Sequence, residues 1–108
     1  MVYKMVEIDE MLEYHNLYEV RYKIMDVRGR IVFKNNTIYL NPMFNQDAET
    51  YIHELFHHHY DYVLGESVPE SEIEKMAQEF YNHHRLLCEK LVKNKTTKEK
   101  FDLCEDWD

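Results

Sequence analysis

The spacing of hydrophobic and polar residues changes along the first part of the chain. Residues 8–14 carry apolar side chains at helical spacing between acidic ones, which predicts a short amphipathic helix ending at His15-Asn16. In residues 18–27 apolar side chains alternate with charged ones, as is typical of a half-buried strand. We therefore expect one helix followed by one strand.

A hairpin and two more helices are predicted downstream. Two apolar runs, residues 31–33 and 37–40, flank Asn35-Asn36, whose side chains tolerate positive φ, and this favours an antiparallel hairpin. Apolar residues then recur at helical spacing from Asp47 to about Gly65, and again from residue 71 to 93. The expected fold class is α+β, with a small three-stranded, antiparallel-rich sheet packed on these two helices.

Length and composition restrict the organisation and the partners. A chain of 108 residues with 44% hydrophobic side chains forms one domain, which we place at residues 1–93, followed by a polar tail at residues 94–108. With 2 glycines and no G-x-G-x-x-G string, a phosphate-binding loop is excluded. The net charge of −8 disfavours nucleic acid as a partner.

Cysteine content and hydropathy suggest the compartment. Cys88 and Cys104 are too few for a disulfide framework, so a reduced protein is expected. The sequence has neither the apolar run of a membrane span nor that of a signal peptide. We therefore expect a cytoplasmic protein with no membrane partner.

The strongest chemical signal is the H-E-L-F-H string at residues 53–57, on the helix predicted from Asp47. Histidines at i and i+4 project from one side of a helix, so His53 and His57 can reach one metal ion. Glu54 lies beside them, where it can accept a proton from a bound water. The neighbouring His58 is expected to be solvated, and His59 to lie in the core.

A catalytic zinc needs a third protein ligand, and the acids at the start of the next helix are the candidates. Glu70 and Glu74 each fit a capping box, with Ser67 and Ser71 as the respective caps. Glu72 fits neither, and it has apolar residues at +1, +4, +5 and +8, which puts it at the edge of the buried stripe. Glu72 is therefore the predicted ligand, with Glu74 as the alternative.

The strand at residues 37–42, the H-E-x-x-H helix and the glutamate helix from Glu72 together resemble the gluzincin metallopeptidases. The small size points to the minigluzincins, and more distantly to the ImmA/IrrE-type peptidases. The resemblance implies a zinc endopeptidase that its own C-terminal segment holds latent. Cys104 and the acids after it could deliver a thiolate or carboxylate to the open zinc position, within one chain or by self-association of two. The alternative is that residues 94–108 form a disordered, solubilising tail.

The expected reaction is hydrolysis of a peptide substrate, with Glu54 as general base. The strand at residues 37–40 is expected to be an edge that pairs with the substrate. The donor to the oxyanion is left open among four residues: Tyr60, Tyr62, His83 and His84. Two other hypotheses are a non-catalytic zinc-binding protein with regulatory or structural roles, and a metal-free module that binds a basic partner through its acidic face.

Overall fold

The chain folds into an α+β arrangement of four α-helices and one three-stranded sheet, in a computed structural model that describes residues 3–106, with side chains to residue 95. In chain order the elements are α1 (Ile8–Leu17), β1 (Glu19–Tyr22), β2 (Gly29–Val32), β3 (Thr37–Leu40), α2 (Asp47–His57), a π-helical turn (His58–Val63), α3 (Glu70–His83) and α4 (Arg85–Asp106). None of the helices within the described residues is long and apolar enough to cross a membrane.

The sheet is mixed, with β3 at its centre. β3 pairs antiparallel with β2, so the predicted hairpin is confirmed, and it pairs parallel with β1, so the expected antiparallel-rich sheet is not found. Because the strand order is β1-β3-β2, residues 37–40 do not form an edge. Three of the four β3 residues are buried, whereas β1 and β2 expose charged residues, and charged strands suit the edges of a sheet.

The helix predicted from residue 71 to 93 is two helices. α3 ends at His83, and α4 begins at Arg85 after a break at His84. The polar run at residues 82–85 offers no apolar side chain to bury, so the chain can change direction there, and α4 packs against β1 and α2. α4 then continues to Asp106, so the backbone of residues 94–106 is helical.

The described part of the tail is anchored at its start. The Lys95 ammonium donates hydrogen bonds to the carbonyl oxygens of His15 and Tyr18, at the C-terminal end of α1, where a cation is favourable. The side chains invoked for latency, from Cys104 onward, lie outside the described residues. The proposed boundary at residue 93 thus falls within a continuous helix.

Three buried tyrosine–histidine pairs join α1 and the residue after it to α2 and the π-helical turn. The ring nitrogens meet the phenol oxygens in the pairs His15–Tyr51 at 2.8 Å, Tyr14–His59 at 2.7 Å, and Tyr18–His58. The prediction that His59 lies in the core is confirmed. The prediction that His58 is solvated is wrong, because Tyr18 packs against its ring edge-on and closes that side.

The buried His15 is expected to make the stability of the fold depend on pH. Burial, with a smaller contribution from the Lys95 charge, lowers the pKa of His15 from 6.5 to about 4. The imidazole of His15 therefore binds a proton more tightly in the unfolded chain than in the folded one. The contribution of neutral, buried His15 to folding stability is fully present above pH 6.5 and is lost as the pH falls through 4. The loss of folding stability amounts to about 3 kcal/mol once it is complete below pH 4.

We expect His15→Asn, which keeps a polar partner for Tyr51 but does not titrate, to flatten this pH dependence. Urea unfolding of the wild type and the variant between pH 7 and pH 4.5 measures the effect. His58 and His59 also have lowered pKa values, and they titrate in both proteins, so the difference between the two curves isolates His15. Parallel curves of unfolding free energy against pH would show that His15 does not contribute to the pH dependence.

Candidate metal centre

Two histidines of α2 and one glutamate of α3 converge where these two helices meet. His53 and His57 lie four residues apart, so their side chains differ by about 40° around the helix, and their Nε2 atoms are 3.2 Å apart. The Glu70 carboxylate approaches both, with Oε1 2.7 Å from Nε2 of His53 and Oε2 2.9 Å from Nε2 of His57. These ligand atoms all lie within 4.8 Å of one another, so the group could hold a metal ion.

The donor set fits a divalent metal in tetrahedral coordination. Two nitrogen ligands at the usual zinc distance of about 2.0–2.1 Å are separated by about 3.3 Å at a tetrahedral angle. The separation of 3.2 Å between the two Nε2 atoms matches this value. If these three residues bound such an ion, one position would stay open, which is typical of catalytic zinc sites and not of structural ones.

The third member of the group is Glu70 and not Glu72. α3 begins at Glu70, with Pro69 as the N-cap and no side chain bonded to the helix end, so the two capping boxes do not form. Glu72 is about 200° around the helix from Glu70 and is not part of the group. Proline is favoured at the first position of a helix, so Pro69 indicates a helix start near residue 69, earlier than the predicted residue 71.

Glu74, the alternative ligand, contacts the opposite nitrogen of His53. Its Oε2 lies 2.9 Å from Nδ1 of His53, an ion-pair distance, but the direction is not that of a hydrogen bond, and buried Nδ1 has no hydrogen-bond partner. Arg28 holds the same carboxylate through contacts of 3.1 and 3.2 Å. Glu74 therefore supplies charge behind the ring of His53, while Nε2 faces Glu70.

Glu54 is buried beside the two histidines. Burial raises the pKa of its carboxyl to about 7, with His57 acting in the opposite direction. A bound cation would lower this pKa, because it favours the charged carboxylate. A carboxylate next to the His53, His57 and Glu70 group, shielded from solvent, is well placed to accept a proton from a water molecule.

The cleft beside this group is small, about 200 Å³. The loop before β2 contributes Val27 and Arg28, β2 contributes Gly29, and α2 contributes Thr50 along with the motif residues. Larger hollows lie along the N-terminal segment, but they do not include the His53, His57 and Glu70 group.

None of the four candidate oxyanion donors lines this cleft. The Tyr60 hydroxyl donates to the carbonyl of Lys4, and the exposed Tyr62 ring stacks on Phe33. His83 and His84 line a separate hollow against the N-terminal segment. The cation that does line the cleft is Arg28, which sequence reasoning missed because its place depends on the loop before β2 reaching α2 and α3.

Gly29 allows β2 to approach α2 closely enough to form the cleft. A Cβ atom at this position would lie 2.4 Å from Cγ2 of Thr50 and 3.2 Å from the Tyr39 carbonyl oxygen. We expect Gly29→Ala to destabilise the protein by about 1–3 kcal/mol, which is typical of overpacking. Adding Thr50→Ser, which removes Cγ2, should recover part of this loss, because the close approach to the Tyr39 carbonyl remains.

Urea unfolding of the two single variants and the double variant measures the coupling. Strictly additive effects would mean that Gly29 and Thr50 do not compete for the same space.

The chemistry at this centre is that of two imidazoles and a carboxylate converging beside a buried second carboxylate. The two imidazoles belong to the H-E-L-F-H string at residues 53–57, and packing of α3 on α2 brings Glu70 to them. Comparisons with protein families, with characterised proteins and with solved structures find no match to this chain.

Proposed function

We propose that the protein is a zinc-dependent endopeptidase. Its zinc ligands are His53, His57 and Glu70, and its general base is Glu54. The observation that carries this proposal is the convergence of the two Nε2 atoms and the Glu70 carboxylate at ligand separations, with Glu54 buried next to them. A donor set of two histidines and one glutamate with an open position is that of hydrolytic zinc enzymes.

The cleft residues divide the reaction between them. Bound zinc would polarise the substrate carbonyl and lower the pKa of the attacking water. Glu54 takes the proton from that water and passes it to the leaving amine nitrogen. Arg28, as the cation lining the cleft, is the group we assign as donor to the charge that develops on the carbonyl oxygen.

The strand that we assign to pairing with an extended substrate is β2 and not β3. The Asn41 amide donates to the carbonyl of Arg28, so the backbone groups of Arg28 face β3. Because these groups alternate in an antiparallel pair, those of Gly29 and Ile31 face the free edge. An extended peptide adding to this edge would pass Gly29, which lines the cleft beside Glu54.

The proposal is tested by measuring zinc and hydrolysis on the same purified protein. We expect about one zinc per chain, and internal cleavage of an unfolded protein substrate that a chelator abolishes and added zinc restores. Zinc binding without cleavage by any form of the protein would favour the non-catalytic zinc protein. A protein that binds no zinc would favour the metal-free interaction module.

Latency of the full chain is a further part of the proposal. A chain ended after residue 95 keeps the contact of Lys95 with the end of α1, so it is the appropriate shortened form for the assay. Higher activity of this form would support an inhibitory segment. Inhibition that grows with protein concentration would indicate that the segment acts between chains.

A further inference from the structure

We infer that Asp61 is a positioning residue that holds His57 in the tautomer required for metal binding. This inference rests on the proposed zinc site. Its basis is the contact of Oδ2 of Asp61 with Nδ1 of His57 at 2.9 Å, on the side of the ring opposite Nε2. Nε2 of the same ring faces His53 and Glu70.

The chemistry of imidazole explains why this contact matters. A neutral imidazole carries one proton, and the nitrogen without it offers the lone pair that a metal needs. When a metal is bound between Nε2 and Glu70, the ring proton must be on Nδ1, and the Asp61 carboxylate, which can only accept a hydrogen bond, stabilises it there. Nε2 is then the ligand atom, and it is the atom that faces the rest of the group.

Asp61 lies four residues after His57, a spacing at which side chains on a helical backbone are neighbours, within the π-helical turn that follows α2. The turn spans His58–Val63, and the Leu64 amide donates to the carbonyl of His59, five residues back, at 3.0 Å. Turns of this kind are rare in proteins, and those that occur are often found at functional sites. Here the turn begins directly after His57 and contains Asp61.

Substitution of Asp61 tests the positioning of a histidine ring more specifically than substitution of Glu74. Glu74 contacts His53 but also holds Arg28, so its substitution would disturb the cleft as well as the ring. The Asp61 side chain is 40% exposed, and an ion pair at such a position contributes little to folding stability. A loss of metal affinity on substitution can therefore be separated from a loss of fold.

The experiment compares Asp61→Ala and Asp61→Asn with the wild type, using zinc affinity from chelator competition. We expect Asp61→Ala to weaken zinc binding by about 10–100-fold, as for other partners behind a ligand histidine. Asp61→Asn keeps an oxygen that accepts the Nδ1 proton, so its affinity should stay within a few-fold of the wild type. Asp26→Asn, an exposed acid on the loop next to the cleft, is the matched control and should show no change.

Cobalt provides a readout that a purely structural role would not move. The visible absorption of the Co²⁺-loaded protein should shift in Asp61→Ala and stay close to the wild type in Asp61→Asn, while urea midpoints of all variants remain similar. Wild-type affinity and spectrum in Asp61→Ala, or equal losses in both variants, would overturn the inference. A wild-type protein that binds no zinc would overturn the proposed function together with it, and this result is distinct from the other two.

Discussion

Glu54→Gln is expected to bind zinc like the wild type. Its rate of peptide hydrolysis is expected to fall by about 10³-fold or more. Glutamine keeps the size of the side chain, so the neighbouring ligands keep their positions. It cannot take up the proton of the attacking water, and general base catalysis contributes about 10²–10⁴-fold. The protein should therefore lose kcat and retain its metal.

Zinc content and steady-state kinetics on the same preparations measure this prediction. Glu13→Gln, an exposed acid on α1, is the matched control and should behave like the wild type in both. A Glu54→Gln protein that kept wild-type turnover would remove Glu54 from the mechanism. One that lost its zinc would instead indicate that Glu54 takes part in binding the metal.

Glu70→Ala is expected to reduce zinc affinity by more than about 100-fold, while Glu72→Ala leaves it unchanged. The Glu70 carboxylate touches both histidines at 2.7 and 2.9 Å. Removing a direct ligand should cost more than removing a partner behind a ligand, for which the loss is about 10–100-fold.

The comparison is sharp because both acids lie in the first turn of α3 and carry the same charge. Any general effect of lost negative charge, or of helix-dipole stabilisation, is therefore common to the two variants. Loss of zinc from Glu72→Ala with retention by Glu70→Ala would restore the assignment that the sequence predicts.

Local features of the site could be predicted from the sequence, because they depend on residues close together in the chain. The i, i+4 spacing of His53 and His57 fixes their common side on any helix. The hairpin follows in the same way from two apolar runs around Asn35-Asn36. Neither conclusion requires knowledge of how distant elements pack.

Features that depend on distant elements could not be predicted in this way. The third member of the group, Glu70, is set by where α3 begins and how α3 meets α2. β3 is central because β1 pairs with it directly, although β2 lies between them in the sequence. His58 is buried because α1 and the segment after it close over the π-helical turn, which no local pattern indicates.

The location of zinc in crystals of the loaded protein tests the metal centre most directly. Anomalous diffraction at the zinc edge should give one peak per chain, about 2.0–2.2 Å from Nε2 of His53, Nε2 of His57 and a carboxylate oxygen of Glu70. A fourth position facing the cleft should carry no ligand from the described residues. A peak elsewhere, or one that includes Glu72 in place of Glu70, would contradict the proposed centre.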